Sequence, residues 1–382
     1  MDEGEQGEAS VRNDVDTDQK RRSKTYGEYL HLEQLLSLQD DAKSPDELHF
    51  IIVHQTFELW FKQIITELSA ARDKLAKEQV PEIDIPVVVD HLTRVTEIFR
   101  LLANQWTVME TLTPQGFLAF RDGLGSASGF ESFQMRELEI ILGLRASGRV
   151  GEMDVLAHFR KMADEGEAGD RALARLESRM SEESLVEVVT RWLSRTPIMG
   201  STSGSDGDET TVAEYVDAHL DAHRAVGEAA AQRMVGWGMA EEEAMRARMA
   251  VAQRSAETYL RPPESGDEDD DEAPLGPPNR ARAGLLFIES YRELPLLTWP
   301  RTLVDSLVEL EESMVKWRHA HARMVERIIG RRMGTGGSSG VDYLDMTAKY
   351  RVLPDLWAVR TILIKPEMRP ALKHAQFYNL VE

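Results

Sequence analysis

The sequence predicts an all-α protein, and three observations carry that prediction. Apolar residues recur every three or four positions through long segments, β-branched alternation is scarce, and proline and glycine punctuate the chain at helix-length intervals. With 382 residues, 42% of them hydrophobic, the chain can bury one large helical core with an elaboration, or two domains.

Residues 1–24 are polar and acidic without apolar periodicity, and are expected to form a disordered tail. Ordered structure is expected from Thr25. Helices are predicted over 46–78, 85–112, 114–122, 131–146, 151–164 and 168–196, with Pro81, Pro86, Pro114 and the SASG turn at 126–129 as the breaks. Residues 200–210 read as a polar linker, and 211–260 as a long helical stretch that Gly236 and Gly238 divide. The prolines and mutually repelling acids of 261–283 cannot bury a core, so that stretch is expected to be a loop. The helical signal resumes at Leu285 and runs into a helix over 301–330. The expected organisation is thus a core built from 25–196 and 284–382, with 197–283 as an inserted helical segment; no internal repeat is visible.

Composition excludes several functions. The net charge of −21 leaves no basic face for a nucleic-acid backbone. The absence of cysteine removes disulfide frames, thiolate zinc sites, iron–sulfur clusters, thiolate-ligated haem and covalently attached haem. The first two dozen residues hold no apolar signal core and no run reaches membrane-spanning length, which leads to the expectation of a soluble, cytoplasmic protein without a membrane partner.

Two histidines interrupt apolar stripes. Leu303, Leu307, Leu310, Met314, Trp317, Met324 and Ile328 alternate steps of four and three, and His321 fills the slot between Trp317 and Met324. His319, two residues earlier, points away from that face. Likewise Phe50, Phe57, Phe61, Ile64 and Leu68 form a stripe with His54 in the slot after Phe50. Each histidine is either a core imidazole bonded to a carbonyl or a ligand; two on separate long helices make a shared ligand or cofactor the sharper reading. The GTGGSSG segment at 334–340 follows a helix, so it is neither a Rossmann turn nor a P-loop; it either lets a backbone approach a ligand or caps the helix as a surface loop. Arg121, flanked by Phe117, Phe120 and Phe130, either forks a carboxylate or stays solvated in a structural pair. His219 and His223, with Asp217 and Asp221, lack a third metal ligand in a recognised motif, and Glu28 with His31 gives a single ExxH where a di-iron bundle needs two.

The blocks TYGEYLHLEQLLSLQ (25–39), DELHFIIVHQTFELWFKQIITEL (46–68), FRDGLGSASGFESFQMRELE (120–139) and WRHAHARMVERIIGRRMGTGGSSGVDYL (317–344) closely resemble the tryptophan 2,3-dioxygenase family, in order and over 25–196 and 284–366. The resemblance implies a helical bundle enclosing a haem b pocket, a homotetramer, and cleavage of the indole C2–C3 bond of L-tryptophan by O2 to give N-formyl-L-kynurenine, the first step of the kynurenine pathway. It makes His321 the proximal ligand of the haem iron and sets Trp106 and Phe120 against the cofactor. His54 would bond the indole N–H, Arg121 the substrate carboxylate and Thr335 the neighbourhood of its ammonium. Phe50 and Phe117 would pack the indole, Ser128 and Gly129 would close the distal pocket, and Tyr26, Tyr29 and Leu30 would reach a neighbouring subunit's active site. Four positions depart from the family pattern: Ser126 for a usual proline, Glu131 for glutamine, Met135 for an aromatic and Pro45 for histidine. None of the four falls among the site residues so assigned. The competing functions are oxidation of a substituted tryptophan in specialised metabolism, a non-catalytic haem- or tryptophan-binding protein, and a helical scaffold whose acidic loop recruits a partner.

Overall fold

The computed structural model describes residues 24–124, 129–144, 154–164, 166–264, 275–332 and 340–379, which are helical with connecting turns and carry no strand. Two short helices, α1 (Tyr26–Leu30) and α2 (Leu32–Ser37), come first; Thr25 and Glu28 cap α1 reciprocally, and neither helix buries a residue.

The first long helix, α3 (Pro45–Leu75), starts where its sequence dictates. Ser44 Oγ accepts the Glu47 N–H at 3.1 Å, and Pro45 occupies the first turn, where no N–H is needed. Asp46 and Glu47 at one end and Arg72 and Lys74 at the other complement the helix dipole. Pro86 lies inside the first turn of α4 (Asp84–Met109), where the helix predicted over 85–112 also has it, and is tolerated there for the same reason as Pro45. Lys74 bonds Asp84 at 2.9 Å, tying the end of α3 to the start of α4. Thr113 caps α5 (Pro114–Arg121). A Cβ on Gly116 would lie 2.3 Å from Asp46 Oδ2, so α5 crosses close over the start of α3.

α6 (Phe133–Leu142) is shorter than the 131–146 the sequence predicts: Ser132 caps it, and Gly143, at φ 103°, ends it. α7 (Val155–Ala163) and α8 (Glu167–Met180) pack Leu156, Phe159, Ala172 and Leu176 into a small second core against Phe133 and Ile140. The single helix predicted over 168–196 is two, because Ser184 and Glu187 form a capping box that starts α9 (Leu185–Leu193) afresh.

α10 (Asp208–Gly236) and α11 (Glu242–Leu260) form an antiparallel hairpin, with Asp217 paired to Arg261 and His223 to Gln253. Helix α12 (Arg280–Ser290) begins before Leu285, because Asn279 caps it; residues 280–283 therefore belong to the helix and not to the acidic loop. The feet of that loop meet, Gly276 N–H on the Pro262 carbonyl at 3.0 Å; the acidic run at 265–274 lies outside the described residues.

Helix α13 (Thr298–Ile329) buries the whole stripe from Leu303 to Ile328 named above. Each such leucine or methionine contributes about 1.5–3 kcal/mol on burial. α4 packs along both α3 and α13, and Phe99 and Trp106 of α4 meet Phe57 and Trp317 across these contacts. α14 (Gly340–Thr347) folds back on α13, and α15 (Pro354–Ile362) packs on α12. The chain end is fastened by Tyr378, whose hydroxyl donates to the Pro197 carbonyl at 3.0 Å and accepts the Gly200 N–H at 2.8 Å. No described helix is long and apolar enough to cross a membrane.

Candidate active site

α3, α4, α6, α13 and α14 surround one cavity with about 1120 Å³ of space, open mouth included. His54 and His321 both line it. The stripes explain the meeting: each histidine occupies an inward slot of a long helix, and α4 holds those two helices in one core.

The Nδ1–H of His54 donates to the Phe50 carbonyl at 2.8 Å, which leaves Nε2 as the unprotonated, accepting nitrogen. Burial lowers the pKa of His54 below the ordinary histidine value, against the Phe50 carbonyl and Glu58, which both favour the cation, so the ring stays neutral. His321 is held as a neutral imidazole more strongly: burial first, then His54 and the Arg318 guanidinium, push its pKa down to about 3. Its ring stacks on Trp106 with centroids 4.5 Å apart and planes 4° apart. His319, by contrast, is exposed, as the helical period requires.

Aromatic rings make much of the wall. Phe57, Phe61, Trp106 and Trp317 line the cavity, and the indole N–H groups of Trp106 and Trp317 are buried without a hydrogen-bond partner among the described residues. Behind His54, Phe50 lies 4.0 Å from the imidazole centroid, 6.0 Å from Phe117 and 5.5 Å from Phe120. These three phenylalanines back the cavity rather than line it. Arg121 ends α5 beside them, half-buried and engaged in an interaction.

The structure therefore gathers His54, Trp106, Gly129 and His321 on one wall system, with Phe50, Phe117 and Phe120 behind His54, whereas Arg121 is not among the lining residues. It does not bring Tyr26, Tyr29 and Leu30 to the cavity of their own chain; they are 77%, 71% and 41% exposed. Ser126, Ser128 and Thr335 lie outside the described residues, as does most of the glycine-rich segment. Met135, set aside among the four departures, in fact lines the cavity. Away from the site, His219 donates Nε2–H to the Ile362 carbonyl at 3.0 Å, and Glu28 serves its helix cap.

Sequence reasoning missed the cavity's polar residues Glu58, Ser132, Arg136, Glu139 and Arg318. Glu58 and Arg318 were within reach of the same period, lying one turn from His54 and His321. Glu139 carried no signal, because a lone acid on an amphipathic helix reads as solvent-facing until its partners are seen.

The family model described as tryptophan 2,3-dioxygenase matches residues 12–363. The chain is 42% identical to "Tryptophan 2,3-dioxygenase 2" of Ralstonia nicotianae, over 94% of this chain and 98% of the relative. It is 41% identical to "Tryptophan 2,3-dioxygenase" of Sorangium cellulosum, over 93% and 87%, and 41% identical to the shorter "Tryptophan 2,3-dioxygenase-like protein" of Xanthomonas campestris, over 71% and 98%. A match along nearly the whole chain, around a cavity faced by two neutral imidazoles, places this protein in the tryptophan 2,3-dioxygenase family, as a dioxygenase.

Proposed function

We propose that the protein cleaves the C2–C3 bond of L-tryptophan with O2 to give N-formyl-L-kynurenine, the entry to the kynurenine pathway, using haem b held by His321. The observation that carries this reading is the pair of neutral imidazoles, on α3 and α13, lining one aromatic cavity. The residues fit the cofactor. A neutral imidazole is the form that ligates iron, and the rings of Phe57, Phe61, Trp106 and Trp317 supply the apolar walls a macrocycle needs. When bound, ferrous haem supplies the electron and spin chemistry by which triplet oxygen reacts with a closed-shell indole.

The protein's own work is orientation. His54 Nε2 accepts the indole N–H, which raises electron density at C3 and fixes the ring plane. Arg121 pairs with the substrate carboxylate from the end of α5, and the aromatic cluster of Phe50, Phe117 and Phe120 excludes water beside it. Such positioning supplies several kcal/mol of barrier reduction. Ser128 and Thr335 complete the substrate contacts in this reading. Tyr26, Tyr29 and Leu30, exposed on their own chain, serve a neighbouring copy's site within a homotetramer.

Product mass after turnover of tryptophan under ¹⁸O2 tests the proposal. Two labelled oxygen atoms in formylkynurenine are expected; a product with one labelled atom would make the protein a monooxygenating relative, and loading of haem without product would make it a binding protein.

A further inference from the structure

α6 reaches both sides of the cavity through directional polar bonds. At its start, Ser132 Oγ donates to Glu58 Oε1 at 2.6 Å, and Gln134 Nε2 donates to Glu58 Oε2 at 2.7 Å and to the Glu58 carbonyl at 2.8 Å. Glu58 lies one turn beyond His54 on α3 and lines the same cavity. Further along α6, Glu139, 2% exposed, accepts Arg136 Nη1 at 2.7 Å and Arg318 Nη2 at 2.9 Å. Arg318 lies one turn before His321 on α13, gives Nη1 to the Thr347 carbonyl of α14 at 3.2 Å, and packs 4.9 Å above the Tyr350 ring. One short helix is thus bonded to α3 beside one imidazole and to α13 beside the other.

Stability alone does not call for this arrangement. Met135, Leu138, Ile141 and Leu142 already bury the apolar face of α6. A buried triad of two guanidinium groups and a carboxylate is commonly replaceable by apolar residues without loss of stability, because desolvation offsets the ionic attraction. What hydrogen bonds at both ends add, and apolar packing does not, is a fixed axial position and rotation of the helix. The two anchoring points, Gln134 and Glu139, are about 7.5 Å apart along the helix axis.

We propose that α6 is a strut between the two sides of the cavity, and that Glu58 and Glu139 are positioning residues: Glu58 for the His54 side, Glu139 for the His321 side. The proposal rests on the functional reading above. It predicts a separation of effects in the haem-loaded protein. Glu58→Ala lowers kcat/KM for tryptophan about tenfold or more, by the sensitivity of catalysis to small misplacements, and leaves the iron–histidine stretching band of the ferrous protein where it is. Glu58→Gln, which keeps one accepting oxygen, recovers part of that loss. Glu139→Gln shifts the iron–histidine band and speeds haem transfer to an acceptor globin. If Glu139→Gln fails to fold because two guanidinium groups are left buried, the triple replacement Arg136→Met, Glu139→Leu, Arg318→Met leaves no charge there, and the band shift is expected in it. Variants that change melting temperature alone, or a Glu58→Ala that moves the iron–histidine band as much as the Glu139 variants do, would overturn the strut. A wild-type chain that loads no haem would overturn the functional reading first, and is seen before any variant is made.

Discussion

The Nδ1 proton of His54 is committed to the Phe50 carbonyl, so whatever the ring offers a ligand it offers through Nε2, as an acceptor. That assignment needs no family information; it follows from a carbonyl being unable to donate. It also fixes the sign of the pH response. Burial favours the neutral ring, so protonation, and with it loss of the acceptor, comes only below the ordinary value of 6.5, and the acid limb His54 contributes to kcat/KM lies below that pH. A substrate analogue with sulfur in place of the indole N–H cannot make the bond. The wild-type protein is expected to reject it by about 10²-fold or more relative to tryptophan. His54→Ala should lose most of that discrimination while retaining measurable turnover. Undiminished discrimination in the variant would remove His54 from the substrate contact, and complete loss of turnover with normal haem would make it an obligatory base.

Helices were the part of the fold most legible in the sequence, because a stripe is a geometric statement: the His321 and His54 slots, the buried Leu303–Ile328 face and the exposure of His319 all follow from a period of 3.6. Boundaries were less so. The capping box at Ser184 splits one predicted helix into α8 and α9, and the Asn279 cap starts α12 at Arg280, ahead of Leu285 where the apolar signal resumes, because caps are single residues that leave no periodic trace. The Arg136, Glu139 and Arg318 triad was illegible for a different reason: its members lie on two helices, and no local pattern announces a partner 179 residues away. Packing between elements gives its own test. A Cβ on Gly284 of α12 would sit 2.4 Å from the Leu193 carbonyl at the end of α9, where backbone must yield. Gly284→Ala is expected to destabilise the protein by about 1–3 kcal/mol through overpacking, read as a lower urea midpoint. An unchanged midpoint would mean that α9 and α12 are not in the contact described.

Over the whole molecule, the cavity and the start of the chain pose complementary questions. α1 and α2 bury nothing, and Tyr26 and Tyr29 stand exposed, while Arg121 is half-buried at the end of α5. If a neighbouring copy supplies the tyrosines, two defects in different chains can compensate. Mixing a Tyr26→Ala, Tyr29→Ala variant with an Arg121→Ala variant, after subunit exchange, should restore activity that neither has alone; activity no greater than the sum of the two would place the tyrosines outside any shared site. The account as a whole depends on α3, α4 and α13 bringing one histidine to hold iron and another to face it. The visible absorption spectrum of the purified protein tests this most directly, compared between wild type, His321→Ala and His319→Ala. A Soret band in the wild type and in His319→Ala, and its loss in His321→Ala, is the expected result; equal haem content in all three would contradict it.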